Sequence, residues 1–395
     1  MFYREKFAYN TVNYRIDLMA AGLRSLGVSV DIFDLFGADA KSEAIRLAQS
    51  LNNEHYDAAY TVDAVGQQDI VDENGDNIFD RYHIPFFNRV LDPPYFLDLE
   101  SKGKNYYILF TDKDYIEFTK KYYRGIKDAF FLPHFASSDF TGETVDEFAA
   151  RRYPVVFTGT YESIESMMSR LVDPLPPAAK DIFSDALDIL LDERDTGVED
   201  ALIRVFTDRT GEDLTVEKYN NIRGLFSILN VFTRQYLRGE LLNTLAVSGI
   251  PLHIWGSGTW EDADWLKNSE FVYHGNCPAE KVPEIYRQSR IVLNCFPCFK
   301  AGSHDRLPFA MMNGAAVMTD RNRYTDGIEG NTGKFIFYDI SHTERAPGIL
   351  FDAIDDPVKT FKTASEGWKY ASEYMTAEHA AGYFLELLKS IKADG

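Results

Sequence analysis

Four consecutive residues, Ser303-His304-Asp305-Arg306, place a hydroxyl, an imidazole, a carboxylate and a guanidinium side by side. They stand between the apolar run "IVLNCF" and the apolar segment "LPFAMMNGAAVMTD". Cations at the head of a helix that follows a buried strand make an anion seat, because the first helical N–H groups are unpaired and the macrodipole is positive there. Phosphate or diphosphate suits such a seat best. The alternative is a capped surface helix with an incidental Arg, in which Asp305 or Ser303 caps and Pro308 occupies the first turn. Two strand-to-glycine turns accompany it, "VFTGTY" with Gly159 and Tyr161, and "HIWGSG" with Gly256, Ser257 and Gly258. Glycine admits close backbone approach, although neither turn completes a dinucleotide fingerprint. Nearer the start, "FAYNTVNY" presents Tyr9, Asn10 and Asn13 ahead of a helix capped by Asn10 or Thr11, while Asp92 and His134 follow strands and are candidate general bases. Asp112-Lys113-Asp114 fits either a metal-holding pair or a helix cap. Cys295 and Cys298, with Cys277, fit zinc less well than buried apolar packing.

These residues need strands and helices to hold them. In residues 1–150, helix Tyr14–Leu26 carries Ile16, Met19, Ala20 and Leu23 on one face, and "VSVDIF", "YDAAYTV", "IPFFNRV", "NYYILFTD" and "AFFLPHF" read as strands separated by helices. A second series, residues 151–375, opens with "YPVVFTGTY", passes through a helical region at about 162–240 leading into helix Leu225–Val247, and resumes with "PLHIWGSG", "FVYHG", "IVLNCF" and "KFIFYD". Residues 376–395 continue a helical tail, Pro357–Lys392, that crosses back onto the first domain. The pattern is α/β, two Rossmann-like doubly wound domains facing a cleft, with ligands expected beyond the carboxyl ends of the strands.

Composition narrows the partners. With 41 Lys and Arg against 61 Asp and Glu, the net charge of −20 disfavours nucleic acid, though it leaves room for a local anion site. Three cysteines argue against a disulfide framework, and no apolar run reaches membrane-spanning length. A cytoplasmic protein is expected.

The stretch "VYHGNCPAEKVPEIYRQSRIVLNCFPCFKAGSHDRLPFAMMNGAAVMTD" resembles the donor-binding half of GT-B glycosyltransferases, in particular a bacterial CgeB-like (spore-maturation-protein-like) group. "FAYNTVNY", "FFLPHF" and "YPVVFTGTY" resemble the same group. The resemblance implies a metal-independent transferase without cofactor that moves a sugar from a nucleotide-diphosphate sugar to a protein, glycan or small-molecule acceptor. It implies that Ser303, His304, Asp305 and Arg306 hold the donor diphosphate and that Gly159, Tyr161, Gly256, Ser257 and Gly258 line the donor cleft. Tyr273 and His274 would then lie near the nucleobase, and Tyr9, Asn10 and Asn13 on the acceptor side. The wider retaining enzymes carry two glutamates at positions that here, by register with "AMMNGAAV", are Ala301 and Phe309; Asp305 or Asp320 could substitute for the ribose-binding carboxylate. A sugar-nucleotide epimerase or hydrolase of the same architecture, or a non-catalytic nucleotide-sugar-binding protein, are the alternative expectations.

Overall fold

The computed structural model describes residues 1–3, 10–63, 71, 77–99, 103–295, 297–330 and 332–393. The chain divides into two compact units: unit 1 comprises Met1–Ser137, Pro278–Glu280 and Glu373–Gly395, and unit 2 comprises Ser138–Cys277 and Lys281–Ser372.

In unit 1, β1 (Phe2–Tyr3) pairs in parallel with β2 (Phe33–Asp34). Strands β3 (Ala59–Val62), β4 (Phe86–Val90), β5 (Tyr106–Phe110) and β6 (Asp128–Phe131) form a parallel sheet in that order. Strands β3, β4 and β5 are buried throughout, the near-continuous apolar reading of a parallel sheet covered on both faces. Helix Thr11–Ser25 buries Ile16, Met19, Ala20 and Leu23 as its periodicity predicts. The last helix, Ala377–Ala393, belongs to this unit, and its Phe384 ring meets Tyr60 and Phe87 edge-on. The expected strand over "VSVDIF" shrinks to its final residue plus Asp34, because Val28–Ile32 find no ladder partner and stay partly exposed. The expected strand over "AFFLPHF" stops at Phe131, two residues before Pro133, which has no N–H to give a ladder.

In unit 2, β7 (Tyr153–Thr158), β8 (Leu252–Trp255), β9 (Val272–Tyr273), β10 (Ser289–Leu293), β11 (Ala316–Asp320) and β12 (Phe335–Tyr338) make one parallel sheet ordered β12-β11-β10-β7-β8-β9. Strand order therefore reverses between β7 and β10, the topological switch point of a doubly wound sheet. Alternate residues Val155, Phe157, Leu252, Ile254, Ile291, Leu293, Ala316 and Met318 enter one core with Leu241, Leu242 and Leu245. Those leucines come from helix Val216–Val247, which starts nine residues before the expected Leu225. Thr215 caps it, and Gly224 sits in its interior, where glycine costs about 1 kcal/mol and packing of the buried Tyr219 against Phe226 compensates. Helices Pro177–Asp192 and Val198–Thr210 complete the helical region. The expected single tail helix is two, Pro357–Tyr374 and Ala377–Ala393, broken where the Ala136 N–H bonds Met375 O at 2.9 Å and the Ala377 N–H bonds Ala136 O at 3.0 Å. Among the described residues no helix is long and apolar enough to cross a membrane.

Candidate functional site

At the switch point the carboxyl ends of β7 and β10 present Thr158-Gly159 and Asn294, and Arg306 joins them. Its Nε donates to Thr158 O at 2.5 Å, its Nη1 donates to Asn294 Oδ1 at 3.2 Å, and its guanidinium lies 5.0 Å from the Phe157 ring centre. Asn294 is fixed in turn, donating Nδ2–H to Thr319 Oγ1 at 2.8 Å and accepting from the Tyr338 hydroxyl at its carbonyl, 3.1 Å. A Cβ on Gly159 would stand 2.8 Å from Arg306 Nη2, so the glycine makes room for the guanidinium. Thr158 Oγ1 hydrogen-bonds the Tyr286 hydroxyl, which burial holds well above its ordinary pKa.

A second guanidinium comes from the long helix. Arg238 is buried, donates to Thr160 O, and lies 5.5 Å from the same Phe157 ring. Its Nε has no hydrogen-bond partner. Burial, then the neighbouring charges of Arg306 and Arg234, depress its pKa; Arg306 is depressed by burial too. Arg234 and Arg238 are one turn apart and continue the stripe that carries Leu241 and Leu245. Cations on an otherwise apolar helical stripe were the sequence signal that reasoning from the Ser303–Arg306 motif passed over. Asn294 and Tyr286 gave no such signal.

The residues singled out from sequence fall into place unevenly. His304 is half-buried, and burial followed by the Arg306 charge lowers its pKa to about 4, so it is a neutral imidazole at pH 7 rather than a cation. Its Nδ1 contacts the Asp305 carboxylate. Asp305 is therefore occupied, and neither it nor Ser303 caps the helix Arg306–Met312, which has no side-chain cap. Ser303 is buried beside the Tyr324 hydroxyl. Gly314 lies beyond the helix, at φ 68°, where a Cβ would meet the Phe140 ring at 2.5 Å.

Tyr161 turns into the core against Trp260 and Trp265 rather than toward solvent. Gly256 and Gly258 are explained by chain packing alone, since Cβ atoms there would come within 1.7 Å of Gly159 O and 1.8 Å of Tyr161 O. Ser257 Oγ and Thr160 Oγ1 hydrogen-bond at 3.1 Å. The Tyr273 hydroxyl donates to Gly256 O at 2.7 Å. His274 stacks on Trp255 with ring centres 4.0 Å apart, and its Nε2 pairs with His253 Nδ1 at 3.0 Å. Burial lowers the pKa of both histidines.

In unit 1, Asp92 is exposed and His134 buried. Asn10 precedes helix Thr11–Ser25 in a left-handed conformation, φ 66°, and its side chain makes no capping bond, contrary to expectation. Asn13 lies in the first turn of that helix, and Tyr9 lies outside the described residues. Asp112 accepts the Asp114 N–H at 2.9 Å at the head of helix Asp114–Tyr122, the capping alternative. Burial raises the thiols of Cys295 to about 12 and Cys298 to about 11, which makes them poor thiolates and good apolar filler. Ala301 and Phe309 are both buried.

Residues 234–386 match the model of a family described as glycosyl transferase-like, less than half of the chain but including Arg234, Arg238, Asn294 and Arg306. No curated protein matches the sequence. Sucrose-phosphate synthase (tll1590) from Thermosynechococcus elongatus superposes with TM-score 0.53 at 10% identity, over 97% of this chain and 94% of that one. T4 phage BGT in complex with UDP and Mn2+ gives 0.54 at 11%, over 97% and 96%. AviGT4, a glycosyltransferase involved in avilamycin A biosynthesis, gives 0.50 at 11%, over 96% and 89%. At such identities the likeness speaks to architecture. The chain has the GT-B fold, two parallel-sheet α/β units, and residues 234–386 resemble the glycosyl transferase-like family.

Proposed function

We propose that this protein is a glycosyltransferase that takes a sugar from a nucleotide-diphosphate sugar and passes it to a protein, glycan or small-molecule acceptor. One observation carries the reading: two buried guanidiniums, Arg238 and Arg306, flank the Phe157 ring at the carboxyl ends of the central strands. Two fixed cations suit the two phosphates of a departing nucleoside diphosphate, whose charge grows as the glycosidic bond breaks. Neutral His304 would add a hydrogen bond rather than a charge. Arg306 and Arg238 would thereby take the part that a divalent cation plays in metal-dependent transferases, so turnover is expected to be metal-independent. The T4 phage neighbour was seen with Mn2+, which makes the test pointed. Full activity in EDTA supports the proposal; activity that vanishes in EDTA and returns with Mn2+ overturns its metal-free part.

Asp92 and His134 remain the proposed candidate bases, and Asn10, Asn13 and Tyr9 the proposed acceptor-side residues. The CgeB-like assignment and a cytoplasmic location are proposed with them, the latter in keeping with three free cysteines. Buried Phe309 and Ala301, where wider relatives keep carboxylates, favour a second reading in which the donor alone is altered by epimerisation or hydrolysis, or merely bound. Incubation of donor without acceptor separates them: a new sugar nucleotide or a free sugar would favour the second reading.

A further inference from the structure

Unit 1 contains its own buried guanidinium at a strand terminus. Arg89 is the fourth residue of the five-residue strand β4, paired with Val62 at the end of β3, and it is 0% exposed. Its Nη2 donates to Pro133 O at 3.0 Å, and the guanidinium lies 4.2 Å from the Phe135 ring centre. Among the described residues neither Nε nor Nη1 has an acceptor in ordinary hydrogen-bond geometry, and the adjacent Tyr60 hydroxyl is the neighbour that most favours the charged guanidinium. Arg15, 1% exposed and about one turn into helix Thr11–Ser25, reaches Phe135 O at 3.4 Å. Its charge opposes that of Arg89, whose pKa is depressed first by burial. The carboxylate that counters Arg89, Asp63, accepts the Leu91 N–H at 3.0 Å. Asp63 also sits at φ 53°, a conformation an aspartate adopts at a cost.

A guanidinium withdrawn from water with one backbone carbonyl and one neutral hydroxyl for partners costs several kcal/mol unless an anion completes it. Such a group at the carboxyl edge of a parallel sheet, where ligands collect, is more economically read as half of a binding site than as packing. We propose that Arg89, with Arg15 and the Tyr60 hydroxyl, seats an oxyanion in unit 1, a phosphate or carboxylate group. On the glycosyl-transfer reading, on which this step alone rests, the oxyanion belongs to the acceptor, so the acceptor is an anionic sugar rather than a neutral one.

The test uses the full chain and inorganic phosphate as probe, in an Arg238→Gln/Arg306→Gln background that silences the unit 2 guanidiniums. A saturable rise in Tm with phosphate in that background, weakened at least tenfold by adding Arg89→Met, is expected. No saturable rise, or a rise that Arg89→Met leaves intact, overturns the seat. Should Arg89→Met fail to fold, hydrogen exchange on the wild-type chain decides: phosphate must slow exchange across Leu132–Ala136, and unchanged exchange there overturns the proposal. Competition identifies the source. Displacement of phosphate by glucose 6-phosphate points to a phosphorylated acceptor, displacement by glucuronate to a carboxylate one, and equal weakness of both to that of glucose overturns the acceptor assignment. Phosphate binding in a chain that transfers no sugar would retire the glycosyl-transfer reading and leave the seat standing.

Discussion

Each unit buries two arginines, Arg238 and Arg306 in one and Arg15 and Arg89 in the other, and their surroundings are built differently. In unit 2, Arg306 donates to Thr158 O and Asn294 Oδ1, and Asn294 is itself held by Thr319 and Tyr338. In unit 1, Arg89 donates to Pro133 O and is otherwise faced by the neutral Tyr60 hydroxyl. The first guanidinium is fixed before any ligand arrives, as catalysis of charge departure requires, because a preorganised cation spends nothing on reorganisation. The second is under-satisfied and gains most from what binds it. Preorganisation predicts effects on rate, and under-satisfaction predicts effects on stability that depend on ligand.

The largest effect should follow removal of the fixed cation. Arg306→Ala is expected to lower kcat/KM by 10²–10³, about 3–4 kcal/mol, with Arg306→Lys recovering little because one ammonium cannot span Thr158 and Asn294. Arg238→Met should cost roughly ten- to a hundredfold in donor affinity, the worth of one charge-assisted hydrogen bond. It should leave the Tm of the free protein unchanged or raised, since a buried repelling charge is gone. A matched fall in Tm would instead make Arg238 structural. Gly159→Ala should act more gently, on the order of tenfold in kcat/KM, by pushing Arg306 Nη2 aside while the sheet persists; an unaltered rate would show that the guanidinium position is unimportant.

The smallest expected effect is on pH dependence. His304 titrates at about 4 in the folded chain against an ordinary 6.5. Between those values the unfolded chain carries a proton that the folded chain lacks, so stability is full above about 6.5 and declines as pH falls toward 4. Urea melts at pH 7 and pH 4.5 should differ less for His304→Gln than for wild type. An identical pH slope would show that the His304 titration does not contribute.

Much of this architecture was legible because short, largely apolar runs and strand–helix alternation are local signals. "YPVVFT", "LHIW" and "FFNRV" could be little else. Strand ends were less so: "VSVDIF" has the alternation of a strand but no partner for Val28–Ile32, and pairing is a tertiary fact. At the site, Arg306 was found because it stands in a motif at a helix head. Its direction was not, since the side chain turns inward to β7 and β10. Arg238 escaped notice because it lies dozens of residues away on a helix whose register against the sheet no local pattern specifies. His304 was read as a cation because its desolvation is invisible in sequence. Gly256 and Gly258 looked like ligand-approach glycines, whereas the backbone they admit is that of Gly159 and Tyr161.

The most direct measurement of the central claim is calorimetric binding of a panel of nucleoside diphosphates in EDTA-containing buffer, wild type against Arg306→Ala. At least one diphosphate should bind the wild type without metal and bind the variant at least tenfold more weakly. Binding that requires added Mn2+, or that Arg306→Ala leaves untouched, would contradict the assignment of the unit 2 guanidiniums to the donor diphosphate.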